Sequence, residues 1–227
     1  WVGVMKGVIA GIAPSVPVVD LTHGVPAQDV RAGALHLDAG WRYFPVGTVF
    51  CCVVDPGVGT ARRAVVARCE GRFFVGPDNG LFGLLPGPEV RHLTADWGLP
   101  NPSRTFHGRD IFAPVAARLA SGAAFDDVGP LVTDPVALRL PVAVDGVGEV
   151  ILVDRFGNLV TNLPGRDTGR VEVGPRVAPV VTTYAGVHRG ELAALTGSTG
   201  RLEVSIREGS AAVSLGVGVG ARVTWRG

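Results

Sequence analysis

The hydrophobic pattern of this chain changes period near its middle. In the first half, stretches with helical spacing alternate with short solid apolar runs. Residues 2–13 read as a helix. Residues 16–21 form an apolar run ended by His23-Gly24, which predicts a buried strand. Residues 28–43 carry Val30, Ala34 and Leu37 on one face, with Pro26 before them and Gly40 and Pro45 near the end, which predicts an amphipathic helix. Residues 48–54, 64–69 and 72–75 predict three strands, the last two joined by a tight turn at Glu70-Gly71. Residues 110–121 predict a helix with Ala116, Ala117 and Ala120 open to close packing. Alternating strands and helices predict an α/β domain with a largely parallel sheet and helices on its faces.

After Gly129 the character changes. Pro130, Pro135 and Pro141 punctuate a stretch with no clear period, which suits a linker. From Gly148 onward, short apolar segments at 150–153, 170–173, 180–184, 202–206 and 221–225 are separated by Gly and Pro. They predict a small all-β domain, sandwich or barrel. The run Gly216-Val217-Gly218-Val219-Gly220 reads as a turn before the last strand. The expected division is an α/β domain over 1–135, a linker over 136–147 and a β domain over 148–227.

Composition narrows the classes. A chain of 227 residues can bury one large core or two modest ones. Hydrophobic residues at 47% against 18% charged exclude a disordered chain. A net charge of +1 with no basic cluster leaves no footprint for nucleic acid. No apolar run approaches the roughly 20 residues of a membrane helix, and no charged-then-apolar leader is present, so a cytoplasmic protein with no membrane partner is expected. Cys51, Cys52 and Cys69 are odd in number and lie in apolar runs, so they read as buried reduced thiols. No CxxC, HExxH or EF-hand spacing and no phosphate-binding glycine loop occurs, so neither metal nor nucleotide cofactor is expected.

Chemistry concentrates in a few unusual runs. Val54-Asp55-Pro56-Gly57-Val58-Gly59-Thr60-Ala61-Arg62-Arg63 places an acid at the C-terminal end of a strand and a guanidinium seven residues later. That is how an α/β enzyme presents charge to a crevice, and it is also how a turn carries a surface salt bridge. Gly76-Pro77-Asp78-Asn79-Gly80 and Phe106-His107-Gly108-Arg109-Asp110 follow. The first either lines a ligand or only shapes its loop. His23 follows a strand and is expected to pack, and His36, His92 and His188 have no motif around them. Read without family, Asp55, Asp78, His107 and Asp110 also allow a metal-dependent hydrolase.

Together with Val2-Gly3-Val4-Met5-Lys6-Gly7-Val8, Val19-Asp20-Leu21-Thr22-His23, Asp154-Arg155-Phe156-Gly157-Asn158-Leu159-Val160-Thr161-Asn162 and Gly197-Ser198-Thr199-Gly200-Arg201-Leu202-Glu203, the series resembles the S-adenosylmethionine hydroxide adenosyltransferases. These are relatives of the enzymes that make fluoro- and chloro-adenosine. The resemblance runs in order over nearly the whole chain. It implies hydrolysis of S-adenosylmethionine to adenosine and methionine, by attack of water or hydroxide at the ribose 5′ carbon. It implies that Asp55, Arg62 and His107 form the acid-arginine-histidine trio that organises the nucleophile, with His107 able to relay a proton. It also implies that Asp154 meets the methionine ammonium, Phe156 stacks on adenine, Asn158 bonds the adenine edge and Ser198 binds the methionine end. Gln28 falls where the halogenating branch has an aromatic lid residue, and Asp78 is a candidate for the ribose.

Two departures matter within the resemblance. Halogenating members carry hydroxyl residues where this chain has Asp55, whose charge repels halide, and an arginine where it has Thr199. The alternatives to a hydrolase are a halide-dependent adenosyltransferase, against which Asp55 argues, and a non-catalytic S-adenosylmethionine or adenosine binder. The resemblance further implies a homotrimer with sites between subunits. The family places a strand ending in a ribose-binding aspartate ahead of the first helix. The chain begins at Trp1 without it, which predicts a fragment or a late start.

Overall fold

A computed structural model describes residues 1–227, which form two compact units, Trp1–Leu138 and Arg139–Gly227. In the first, helix α1 (Val2–Ile12) precedes α2 (Val30–Gly40), and Asp29 caps α2 by accepting from the Ala32 N–H at 2.9 Å. Strands β1 (Val49–Cys51), β2 (Ala64–Cys69), β3 (Arg72–Pro77) and β4 (Glu89–His92) form one sheet in the order β1-β3-β2-β4. Helix α3 (Ala113–Ala120) follows a π-helical turn at Gly108–Phe112.

Strand periodicity places a core on each side of this sheet. Val65, Ala67 and Phe74 face Ala34, Leu37 and Trp41 on the α2 side, where Phe50 stacks on Phe74 at 4.9 Å. Val66 and Val75 face Phe112, Val115, Ala116 and Leu119 on the other. Helix α1 lays Ile9 against Ala113 and Ala117 of α3. Of the small alanines expected between 110 and 121, Ala117 meets α1 and Ala116 meets the sheet. The helices do cover both faces.

The expectation of a largely parallel sheet is overturned. Only β1 and β3 run parallel, while β2 pairs antiparallel with both β3 and β4. The reason was present in the turn: Glu70 and Gly71 take φ of +46° and +72°, the two-residue turn that matches hairpin twist and forces antiparallel pairing. A second expectation also fails. Residues 16–21 make no strand, and Val18, Val19 and Leu21 stay exposed, because the run finds no neighbouring strand to complete its hydrogen bonds. His23 does not pack either; its side chain is exposed and pairs with Asp20 at 2.9 Å.

The second unit is all-β. Strands β5 (Val147–Val153), β6 (Leu159–Pro164), β7 (Arg170–Val173), β8 (Arg176–Pro179), β9 (Leu192–Thr196), β10 (Arg201–Ile206) and β11 (Arg222–Arg226) form a seven-stranded sheet in the order β8-β7-β11-β5-β6-β10-β9. Every ladder is antiparallel. The two edges meet where the Val181 N–H donates to the Ala194 carbonyl at 2.8 Å, which nearly closes a barrel. Val150, Leu159, Val171, Leu202 and Val223 fill its interior. The strand expected at 180–184 is instead a single bridge and a helical turn, Tyr184–Gly186. A short helix, α4 (Ala211–Leu215), capped by Ser210, precedes β11. No helix is long and apolar enough to cross a membrane.

Candidate active site

Asp55 sits four residues beyond β1, on the loop that returns to β2. Arg62 closes the same loop. Its Nε donates to Asp55 Oδ1 at 2.9 Å and its Nη2 to Asp55 Oδ2, a two-point fork that suits a guanidinium and a carboxylate. The two side chains are only 10% and 5% exposed, so water screens this pair poorly. Arg62 also lies over the Phe112 ring at 5.3 Å, which fixes its plane from below.

The same Nη2 approaches Nδ1 of His107 at 2.7 Å. An arginine has no lone pair to offer, so Nδ1 must accept and the ring proton must sit on Nε2. Burial first, and then the Arg62 charge, hold the His107 pKa below the ordinary imidazole value, against the opposing pull of Asp55 and Asp110. His107 is therefore a neutral ring with its one lone pair already used. In this arrangement the free polar atom of the ring is a donor, Nε2–H, and the carboxylate is the group with acceptor capacity to spare.

The remaining acids of this unit have their own partners. Asp78 accepts from Arg63 Nε at 2.7 Å through Oδ2 and from the Val136 N–H at 2.8 Å through Oδ1. Asp110, 3% exposed, is held by Arg109 at 2.5 and 2.8 Å and by the Ser103 N–H at 2.8 Å. The four residues of the metal-hydrolase alternative are thus divided among three arginines rather than gathered. Gln28 is exposed at φ +70°, just before the α2 cap. Cys69 is buried and Cys51 and Cys52 partly so; all three are free, and burial pushes the Cys51 thiol up to about 12.

In the second unit, Asp154 organises the β5–β6 turn. Its Oδ1 accepts from the N–H groups of Phe156 and Asn158 at 2.8 and 2.9 Å, and its Oδ2 from Asn158 Nδ2 at 2.8 Å. Those bonds hold Asn158 nearly buried and leave Phe156 76% exposed, an aromatic face presented to solvent. Gly157 completes the turn at φ +82°, where a Cβ would lie 2.0 Å from Ser210 Oγ. Ser198 is exposed at the tip between β9 and β10.

Sequence spacing missed two residues beside this group. The Tyr184 hydroxyl donates to Glu203 Oε1 at 2.6 Å. Burial first, and also the Asp154 charge, raise the Glu203 carboxyl above its usual range. The pairing joins the turn before β9 to the outward side of β10, where Glu203 alternates with the interior Leu202 and Val204, so no local period announces it.

Comparisons with known proteins cover both units. Residues 1–129 match the model of the SAM hydroxide adenosyltransferase N-terminal domain, and residues 148–224 that of the C-terminal domain. The (R)-S-adenosyl-L-methionine hydrolase of Thermus thermophilus is 46% identical over 98% of this chain and 93% of that protein. The enzyme of the same name from Salinispora tropica is 43% identical over 98% and 91%. A fluorinase from an Actinoplanes species is more distant, 30% identical over 74% and 69%. An uncharacterized conserved protein from Thermotoga maritima superposes with a TM-score of 0.91 at 37% identity, covering 99% of this chain and 94% of that one. With both domains matched and the acid-arginine-histidine contact formed, this chain belongs to the SAM hydroxide adenosyltransferase family.

Proposed function

We propose that this chain hydrolyses S-adenosyl-L-methionine to adenosine and L-methionine. The observation that carries the reading is the Arg62 hub, which binds the Asp55 carboxylate and the neutral His107 ring at once. The names of the hydrolase relatives support it.

The chemistry follows from the substrate. A sulfonium is a good leaving group, so the barrier lies in the nucleophile: water is weak and hydroxide is scarce at neutral pH. Asp55 accepts a hydrogen bond from one water, takes its proton as attack proceeds, and points its oxygen at the ribose 5′ carbon. The Nε2–H of His107 donates to the same oxygen and fixes its direction. Arg62 keeps both partners in register. The new C–O bond forms as the C–S bond breaks, and its electron pair stays on sulfur as neutral methionine. The departing proton goes to Asp55 and then to solvent. No cofactor is needed.

Asp154, Phe156, Asn158 and Ser198 bind the adenine and methionine ends in this reading, with Gln28 near the mouth. Asp78, saturated by Arg63 and Val136, shapes its loop. Because the two sets of residues lie in different units, we place the working site in a homotrimer that joins one subunit's first unit to another's second. The free thiols fit a cytoplasmic setting.

The test is to incubate the protein with substrate in ¹⁸O-water. Adenosine and methionine should appear in equal amounts, with the label in the adenosine 5′ hydroxyl. Asp55→Ala should retain substrate binding by calorimetry while turnover falls ~10²–10⁴-fold, the usual cost of one acid-base group. A chloride-dependent product lacking the label would move the chain to the halide alternative; binding without turnover would make it a binder.

A further inference from the structure

The loop that carries Asp55 and Arg62 leaves the sheet at both ends, and both ends are tied to consecutive residues of one strand end. The parallel ladder between β1 and β3 finishes where the Cys52 N–H donates to the Val75 carbonyl at 2.9 Å. Two residues on, the Val54 carbonyl is met by a side chain instead: Asn79 Nδ2 donates to it at 2.9 Å. Asn79 Oδ1 accepts from the Leu81 N–H at 3.2 Å. At the far end of the loop, the Arg63 carbonyl accepts from the Asp78 N–H at 3.0 Å, and its guanidinium is held by the Asp78 carboxylate.

We infer that Asn79 is a positioning residue for the Asp55–Arg62–His107 contact, acting through the peptide between Val54 and Asp55. Its amide orientation is dictated on both sides, since a carbonyl needs a donor and an N–H needs an acceptor. The Val54 carbonyl and the Asp55 N–H share one rigid peptide plane. Fixing that carbonyl therefore fixes the Asp55 N and Cα, the point from which its side chain departs. Asp78 does the same for the arginine end. The pair Asp78-Asn79 sets the span that the Arg62 fork must bridge, and Arg62 in turn sets the His107 ring. The inference rests on the proposed role of Asp55.

Asn79→Asp is nearly isosteric. It keeps the acceptor for Leu81 but puts an oxygen against the Val54 carbonyl, so that two acceptors oppose each other. Asn79→Ala removes the donor without adding repulsion. The readout is the ¹H–¹⁵N correlation spectrum of the His107 ring, assigned with His107→Gln and recorded well below each variant's melting temperature. The wild-type ring should show one neutral tautomer, protonated at Nε2. In both variants Arg62 loosens its hold on Nδ1 and the two tautomers should mix. Adenosine release should fall by up to ~10²-fold in kcat, as for a displaced catalytic group, with KM within about threefold. A ring that keeps its single tautomer in both folded variants overturns the inference whatever the turnover. Absence of adenosine release by the wild type would instead overturn the proposed function, and the tautomer spectrum would still decide this point.

Discussion

Arg62 answers to three partners: the two oxygens of Asp55, the lone pair of His107 and the face of Phe112. A lysine carries the same charge on a single point and cannot fork, stack and donate sideways together. Arg62→Lys is therefore expected to cut turnover by ~10²-fold or more while leaving the fold intact, which steady-state assays beside circular dichroism would show. The histidine gives a pH signature. Its folded pKa lies below the free value of about 6.5, so the unfolded chain takes up a proton first as pH falls. The stability that His107 contributes is complete above that pH and declines beneath it. Thermal melts between pH 7 and 5 should slope less for His107→Gln than for wild type. That Asp55 and Arg62 share one loop could be read from sequence because the run between them has its own turn chemistry, although β1 stops at Cys51, short of the expected residue 54. Asn79 could not be assigned its task, because an amide reaching a carbonyl 25 positions away leaves no period in the sequence.

Individual elements show where pattern reading is strong and where it yields. Helix α2 is legible from its one apolar face, and the hairpin of β2 and β3 from two solid apolar runs, buried on both faces of the sheet and joined by a defined turn. β6, β8 and β9 were not singled out, because short strands inside a barrel share one apolar composition and borrow their identity from partners far along the chain. Residues 16–21 show the converse: an apolar run with no ladder partner stays irregular. The β5–β6 turn gives a sharp test. Gly157 takes a left-handed φ with no room for a Cβ beside Ser210. Gly157→Ala should destabilise the protein by about 1–3 kcal/mol in chemical denaturation, since strain and overlap act together. It should also raise KM for the substrate, because Phe156 and Asn158 flank it.

At the level of the whole molecule, the change of hydrophobic period marked the passage from layered α/β to barrel, since the two cores obey different periods. Strand-helix alternation points to a parallel first sheet, and one hairpin turn between β2 and β3 overrides it. The proposed trimer predicts a mass near three times the 23.5 kDa chain in light scattering, lost in step with activity on dilution. A monomer with full activity would contradict it. The placement of the thiols has a use of its own. All three cysteines lie in the first unit and none in the barrel, whose single indole is Trp225. Burial keeps the Cys51 and Cys69 thiols protonated, and Cys69 is enclosed as well, so a thiol reagent reaches Cys69 when the first unit opens. The chain thus carries its own clock: labelling times the opening of the half that holds Asp55, and the barrel can come apart unrecorded.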